Sequence, residues 1–184
     1  ARTPVTRSAF TWRRFLKRLP VALVIAGVLW ALLRPALGSA VTGLAEVLIR
    51  AYEYPRVTRL SIGDGRIRVD RSDFRHGSKV PTLPLTEVHF NTVVLLALYL
   101  ALERPLGRRR LERLVMGWSV LLVPQSLNLV FHVKTLYALG LGEWSEAHYS
   151  ELARNLFAYG QYFTDLPGRF AFPFLIWLAF SWDE

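Results

Sequence analysis

Four blocks of apolar residues, separated by segments that carry most of the charged side chains, constrain this 184-residue chain more than any other feature. A membrane hydrocarbon core of about 30 Å takes about 20 apolar helical residues to cross, and the backbone inside it must satisfy its own hydrogen bonds. The pattern therefore predicts a mainly α, polytopic membrane helical bundle with about four transmembrane helices. The predicted crossings are residues 15–33, 85–102, 114–133 and 169–182.

The last block is shorter than an ordinary crossing. At 14 residues it either begins earlier in the chain or crosses where the bilayer is thin. A crossing of this length is also typical of a helix that packs against neighbours. We therefore expect other membrane protein subunits, as well as the lipid bilayer, among the partners of this chain.

Basic residues beside the apolar blocks predict the orientation. The formal net charge is +9, from 23 Lys+Arg and 14 Asp+Glu, and the tail 1–14 and the short turn 104–113 are strongly positive. Short basic segments stay on the cytoplasmic side, so we expect both termini in the cytoplasm and a multi-pass protein of a bacterial inner membrane. Membrane orientation accounts for this charge, and we expect no nucleic acid partner. The segment 54–84 is also basic, but long folded segments count less.

The segment 36–84 predicts a small extracytoplasmic unit. Residues 36–52 place apolar side chains at helical spacing, and this helix either leaves the bilayer or lies flat on its outer surface, because Arg34-Pro35 ends or kinks the first crossing. Residues 57–69 then alternate as strands do, around a Gly-Asp-Gly turn, which predicts a β-hairpin followed by an extended loop over 70–84. Because a lone hairpin is marginally stable, its apolar face should rest on 36–52 or on a partner.

The segment 140–165 predicts a second extracytoplasmic helix, over about 145–163, with Ser145 near its start as a candidate cap. Four aromatic residues of this segment are candidates for partner binding, and interface anchoring accounts for them equally well. They are Trp144, Tyr149, Tyr159 and Tyr162. On the hairpin, Arg59, Arg66 and Arg68 share one face, which is either solvated near lipid phosphates or a docking surface for an acidic partner.

A polar face on the third block is the most suggestive sign of a site. Gln125, Asn128 and His132 lie at i, i+3 and i+7, hence on one side of a helix, and His89 near the outer end of the second block could face the same layer. Polar groups at membrane depth are costly unless they are partnered, and they are often functional. Two interpretations stay open: a ligand, quinone or cofactor site, or hydrogen bonds that order the bundle. We favour the second because no catalytic spacing accompanies these residues.

Cofactor binding and catalysis find little support in the sequence. His89 and His132 could hold haem or chlorophyll if their rings faced each other across the bundle, whereas His76 and His148 lie in polar segments and should face solvent. The absence of cysteine removes disulfides, thiolate metal sites and cysteine nucleophiles together. We expect no metal, no assigned catalytic residue and no cofactor other than bound lipid.

In layout the chain resembles the exosortase H-associated membrane protein family. The resemblance rests on a basic start, one crossing, an outer hairpin and then the motifs FNTVVLLALYLAL, LVPQSLNLVF and RFAFPFLIWLAF. Exosortases themselves are similar in topology but depend on a Cys–Arg–His set, which a chain without cysteine does not carry. The resemblance implies an accessory role in a membrane complex.

We therefore predict a non-catalytic accessory or structural subunit of a larger bacterial membrane protein complex, docking through its transmembrane helices and its extracytoplasmic hairpin. Two alternatives stay open. One is an exosortase-linked sorting accessory. The other is a membrane enzyme, or a quinone-, pigment- or haem-binding subunit of an electron-transfer or photosynthetic complex.

Overall fold

The computed structural model describes residues 12–73, 80–102 and 107–181, and over these ranges the chain is mainly helical with one small antiparallel sheet. Most of the predicted basic tail 1–14, together with His76 and the last residue of the predicted fourth crossing, lies outside the described residues. The helices are α1 (Trp12–Tyr52), α2 (Leu85–His89), α3 (Asn91–Leu100), α4 (Arg108–Leu139), α5 (Glu143–His148), α6 (Glu151–Asp165) and α7 (Pro167–Ser181). The strands are β1 (Thr58–Gly63), β2 (Arg66–Arg71) and β3 (Thr82–Pro84).

Helix α1 joins two segments that the sequence divides. It runs for 41 residues with Pro20 and Pro35 inside it, so the helix does not end at Pro35 and 36–52 continues the first apolar block. At 1.5 Å per residue its length is about 62 Å, roughly twice the hydrocarbon thickness of a bilayer. Proline removes a single N–H from the helix, and the buried stripe of Leu37, Val41, Ala45 and Ile49 holds the following turns in place.

The hairpin is confirmed, and it forms part of a three-stranded sheet. Gly63 pairs with Arg66, which leaves Asp64 and Gly65 as a two-residue turn in which both φ values are positive, at 52° and 69°. Such turns match the twist of the two strands they join. Strand β3 pairs with β2 inside the segment predicted as a loop. Three residues ending in proline carry too little alternation for a strand prediction.

The apolar face of the sheet rests on helices of the same chain. Leu60, Ile67 and Val69 pack in one cluster with residues of α1 and α4. From α1 the buried members are Val41, Ala45 and Ile49, and those from α4 include Val133 and Tyr137. Strand alternation places Ile62 on this face too, but it is exposed beside the turn. The burial of the sheet on α1 and α4 explains how so small a sheet is stable.

The second predicted crossing is divided into two helices. Helix α2 ends at His89, a turn follows at Phe90, and α3 has only 10 residues, about 15 Å of rise. Helix α4, in contrast, has 32 residues and begins inside the arginine-rich turn. By length and composition, two of the described helices, α1 and α4, are suited to cross a membrane, whereas the sequence predicted four crossings.

The aromatic segment also forms two helices instead of one. Tyr149 ends α5, and Ser150 caps α6 by accepting a hydrogen bond from the backbone N–H of Ala153 at 3.3 Å. Ser145 is not a cap. It is buried, and its Oγ donates to the carbonyl of Tyr137 at 2.8 Å. Helix α7 begins at Pro167, two residues before the predicted crossing, because proline suits a first helical position.

Candidate functional site

Gln125 joins α4 to the start of α3. Its side chain is fully buried, and its Nε2 donates to Asn91 Oδ1 at 2.6 Å and to Thr92 Oγ1 at 2.8 Å. Buried hydrogen bonds between helices in an apolar setting contribute about 0.6–2 kcal/mol each. This part of the predicted polar face therefore holds two helices together.

The carboxylate of Asp165 contacts three side chains where α4, α6 and α7 meet. Asn128 Nδ2 donates to Asp165 Oδ1 at 2.9 Å and to Thr164 Oγ1 at 2.9 Å. His132 Nε2 lies 3.2 Å from Asp165 Oδ2, and Arg169 Nη2 lies 3.6 Å from Asp165 Oδ1. Thus two of the predicted site residues, Asn128 and His132, share one carboxylate.

One carboxylate at this junction faces two basic side chains, His132 and Arg169. Burial alone would raise the pKa of Asp165, but hydrogen bonds from His132 and Asn128, together with the charges of His132 and Arg169, lower that pKa overall. The Nδ1 of His132 lies 3.0 Å from the carbonyl oxygen of Asn128, so both ring nitrogens face oxygens.

His89 bonds to a different helix. The Nε1–H of Trp30 donates to His89 Nδ1 at 2.9 Å, so the ring proton of a neutral His89 is on Nε2. The pair joins α1 to α2 and buries His89 fully. His89 and His132, the predicted haem or chlorophyll ligands, thus bond to different partners, Trp30 and Asp165. Over the described ranges, no group of three or more His, Asp or Glu side chains could hold a metal ion.

Arg71, which the sequence did not single out, fastens the end of the sheet to the helices. Its Nη1 lies 3.0 Å from Glu53 Oε1 at the end of α1, and its Nε and Nη2 bind both carboxylate oxygens of Asp73 at 2.8 and 2.7 Å. Its guanidinium carbon lies 4.9 Å from the ring centre of Tyr137 and 5.1 Å from that of Trp144. Hydrogen bonding to Arg71 also lowers the pKa of Asp73.

The arginines predicted as a docking surface lie together on the exposed face of the sheet. Arg59, Arg66 and Arg68 alternate with buried residues along β1 and β2, as the strand period requires. Arg59 stands opposite Asp70 in the register, and Arg66 Nε donates to Thr82 Oγ1 at 2.8 Å. We call these three arginines the basic sheet face.

The four aromatic candidates do not share a surface. Trp144 stacks on His148 with ring centres 4.2 Å apart, and its ring lies 6.2 Å from that of Tyr149. Both Trp144 and Tyr149 pack against the core beneath the sheet. Tyr159 and Tyr162, in contrast, are exposed on α6. His148 is exposed, as predicted.

An apolar groove of about 260 Å³ opens between α1, α3 and α4. Its lining is almost wholly apolar and includes Leu37, Leu95 and Trp118. A long run of exposed apolar side chains also covers α1 between Leu16 and Leu33. Exposed apolar surface of this extent is typical of contact with lipid or with another membrane protein.

A protein-family model described as exosortase H-associated membrane protein matches residues 10–184. The match covers every described helix and strand, so the resemblance noted in the sequence motifs is confirmed. Neither the curated proteins nor the solved structures include a match to this chain.

Proposed function

Because the chain belongs to the exosortase H-associated membrane protein family, we propose that it is a non-catalytic membrane subunit that works beside an exosortase-type protein. One observation carries the non-catalytic part of this proposal: the polar residues that could have formed a site bond to other helices. The space beside Asn91 and Asn128 measures about 10 Å³, enough for about one water molecule. Small-molecule sites occupy about 300–1,000 Å³.

The proposed membrane placement has four crossings: the first half of α1, α2 with α3, α4, and α7, with both termini in the cytoplasm. Two contacts support a placement in which the basic segments lie at the same end of the helical bundle. Phe15 near the start of α1 stacks on Trp177 near the end of α7, with ring centres 5.6 Å apart. The hydroxyl of Tyr99 near the end of α3 donates to the carbonyl of Arg113 in the first turns of α4 at 3.4 Å. The arginines near the starts of α1 and α4 lie at this end, and short basic segments stay on the cytoplasmic side.

The proposed docking surface for the partner is the basic sheet face, on the extracytoplasmic side. Its three arginines are held at fixed spacing by a sheet that is anchored to α1 and α4. A rigid basic surface suits an acidic patch on a partner, where charge complementarity sets specificity and association rate.

Co-purification tests the association. Tagged wild-type protein, extracted from native membranes in mild detergent, should carry the exosortase-family protein with it, identified by mass spectrometry. Arg68→Glu should reduce that recovery several-fold, because it reverses a charge on the basic sheet face. Arg56→Glu, an exposed position off that face, should leave recovery unchanged. Recovery of folded wild type only as a lone monomer would overturn the proposal.

Cysteine labelling tests the topology, and the chain contains no native cysteine to interfere. A membrane-impermeant maleimide should label Ser61→Cys, on the exposed side of β1, in cells whose outer membrane has been removed. Arg109→Cys, in the first turn of α4, should be labelled only after the inner membrane is permeabilised. Equal labelling of both positions in intact cells contradicts the proposed orientation.

A further inference from the structure

The β-hairpin lies along the second half of α1, and its turn points toward the apolar first half of that helix. The backbone N–H of Leu60, in the middle of β1, donates to Glu46 on α1 at 2.8 Å. At the turn, Arg34, which comes earlier on α1, donates from Nη2 to the carbonyl oxygen of Gly65 at 3.5 Å. The turn end of the sheet is therefore the end nearer the start of α1.

The exposed apolar surface of α1 ends at the level of this turn. Large exposed apolar side chains of α1 include Val24, Leu32 and Leu33, and the next one along this helix is Val47. Arg34, which contacts the turn, directly follows Leu33. A surface in contact with hydrocarbon is apolar, and an arginine at the end of an apolar stretch reaches the lipid headgroups. In the membrane placement proposed above, the hairpin turn thus lies at headgroup level on the extracytoplasmic side.

Two arginines beside the turn have donors left for a phosphate. Arg34 is half-buried, and Arg66, the first residue of β2, is exposed. A guanidinium has five N–H donors. Arg34 uses one on Gly65, and Arg66 uses two on Thr82, from Nε to Oγ1 and from Nη2 to the backbone carbonyl. The remaining donors suit phosphate oxygens, which arginine binds with charge-assisted hydrogen bonds.

The exposure of Ile62 also fits a position against lipid. Ile62 is 39% exposed beside the turn, although it lies on the side of the strand that buries Leu60. An apolar side chain next to basic residues matches the boundary between hydrocarbon and headgroups. Asp64, in the turn itself, is exposed and acidic, and the charges of Arg34 and Arg66 outweigh it.

Resting on the membrane placement proposed above, we propose that the hairpin turn lies within the headgroup layer of the extracytoplasmic leaflet, where Arg34 and Arg66 bind lipid phosphates. A headgroup layer is about 5–8 Å thick. Asp70 follows Arg66 by four strand residues and so lies about 13 Å farther from the membrane. Arg59, which stands opposite Asp70, is therefore above the headgroups and stays available to the proposed protein partner.

Spin-label depth measurements on the full chain test the position of the turn. Nitroxide labels at Val24→Cys, Ile62→Cys and Asp70→Cys are compared in liposomes of phosphatidylethanolamine and phosphatidylglycerol, since no native cysteine interferes. Oxygen concentrates in hydrocarbon, whereas a charge-neutral nickel chelate stays in water. The label at position 24 should be reached mainly by oxygen and the label at position 70 mainly by the chelate. The label at position 62 should be several-fold less accessible to the chelate than the label at position 70.

Phosphorus NMR of the same liposomes tests the contact with phosphate. The label at position 62 should enhance the relaxation of the lipid phosphorus signal several-fold more than the label at position 70. Arg34→Gln combined with Arg66→Gln should at least halve this enhancement. Arg56→Gln, an exposed arginine away from the turn, should leave it unchanged.

The outcomes separate this inference from the proposed function. If the label at position 62 is as accessible to the chelate as the label at position 70, the turn lies in water and the inference is overturned. If position 62 is shielded but its label enhances phosphorus relaxation no more than the label at position 70, lipid phosphate is not what covers the turn, and the inference is again overturned. In both cases a label at position 24 within the hydrocarbon leaves the proposed membrane placement standing. A label at position 24 that the chelate reaches freely contradicts that placement itself.

Discussion

The carboxylate of Glu46 on α1 accepts a hydrogen bond from the backbone N–H of Leu60, with 2.8 Å between Oε2 and the nitrogen. Seven residues later, just after α1 ends at Tyr52, Glu53 accepts from the backbone N–H of Thr58 at 3.1 Å. Strand β1 is an edge strand, and edge N–H groups attract further strands. The two glutamates occupy these donors and fix the sheet on the helix.

Removing the carboxylate at position 46 should destabilise the protein. Glu46→Ala leaves the N–H of Leu60 without its acceptor, and a hydrogen bond to a charged group contributes about 1.5–3 kcal/mol to the free energy of unfolding. Glu46→Gln retains an acceptor and should lose less. Thermal unfolding in detergent measures both. Arg50→Ala removes only the half-exposed ion pair with Glu46 and should cost less than about 0.5 kcal/mol. An equal loss in all three variants would contradict this role of Glu46.

Asp165→Asn should change how stability depends on pH. Because the folded state lowers the pKa of Asp165, its carboxylate stabilises the protein above the unfolded pKa of about 3.9, and this contribution is lost as the pH falls through the folded pKa. We therefore expect a loss of about 1.5–3 kcal/mol at pH 7, the contribution of hydrogen bonds to a charged group. The difference from wild type should shrink below about pH 4.

Unfolding curves in detergent between pH 7 and pH 3 measure this difference. Asp70→Asn, on the exposed face of the sheet, is the control and should stay within about 0.5 kcal/mol of wild type at pH 7. If the gap between wild type and Asp165→Asn is the same at pH 7 and pH 3, the ionised carboxylate is not what His132 and Arg169 stabilise.

Gly160→Ala should loosen the contact between α6 and α4. The added methyl group would meet the ring of Phe131 at 2.4 Å, and overpacking of this kind costs about 1–3 kcal/mol. Gly43→Ala is the matched control, since nothing lies within 4 Å of its added Cβ, and it should stabilise α1 by up to about 1 kcal/mol. Melting temperatures compare the two. In a Phe131→Ala background the cost of Gly160→Ala should disappear, and a cost that persists there would place the strain elsewhere.

Gln125→Leu should destabilise the bundle by about 1–3 kcal/mol, because it leaves the buried Oδ1 of Asn91 without a donor. Adding Asn91→Leu should restore part of the loss, since replacing both partners by apolar groups removes the unpaired atom. Ser119→Ala on the exposed side of α4 touches only its own helix and should stay within about 0.5 kcal/mol of wild type. Full retention of stability in Gln125→Leu would favour a ligand-binding role over a structural one.

Local patterns predicted the hairpin and the polar face of α4, since both depend on residues close together in sequence. The alternation of apolar and polar residues around Gly63-Asp64-Gly65 was enough to predict the hairpin. The helical spacing of Gln125, Asn128 and His132 was enough to predict that they share one face of α4. Their partners were less predictable. The contact of Trp30 with His89 depends on how α1 packs against α2, which no local pattern encodes.

The predictions of helix boundaries differ from the structure for another reason. Arg34-Pro35 reads as a helix end or a kink, and α1 continues through it because Val41, Ala45 and Ile49 are buried against the sheet. Conversely, the apolar run 85–102 reads as one helix but breaks at Phe90. In both cases tertiary packing overrides the local signal. The role of Arg71 at the end of the sheet was missed because Glu53, Tyr137 and Trp144 are distant from it in sequence.

Helix α1 carries arginines near its start and holds the three-stranded sheet near its end, with Pro20 and Pro35 between the two. Proline is where helices most often kink, because it removes one backbone hydrogen bond. A change of angle at Pro35 would move the sheet relative to the first half of α1 without any change of fold.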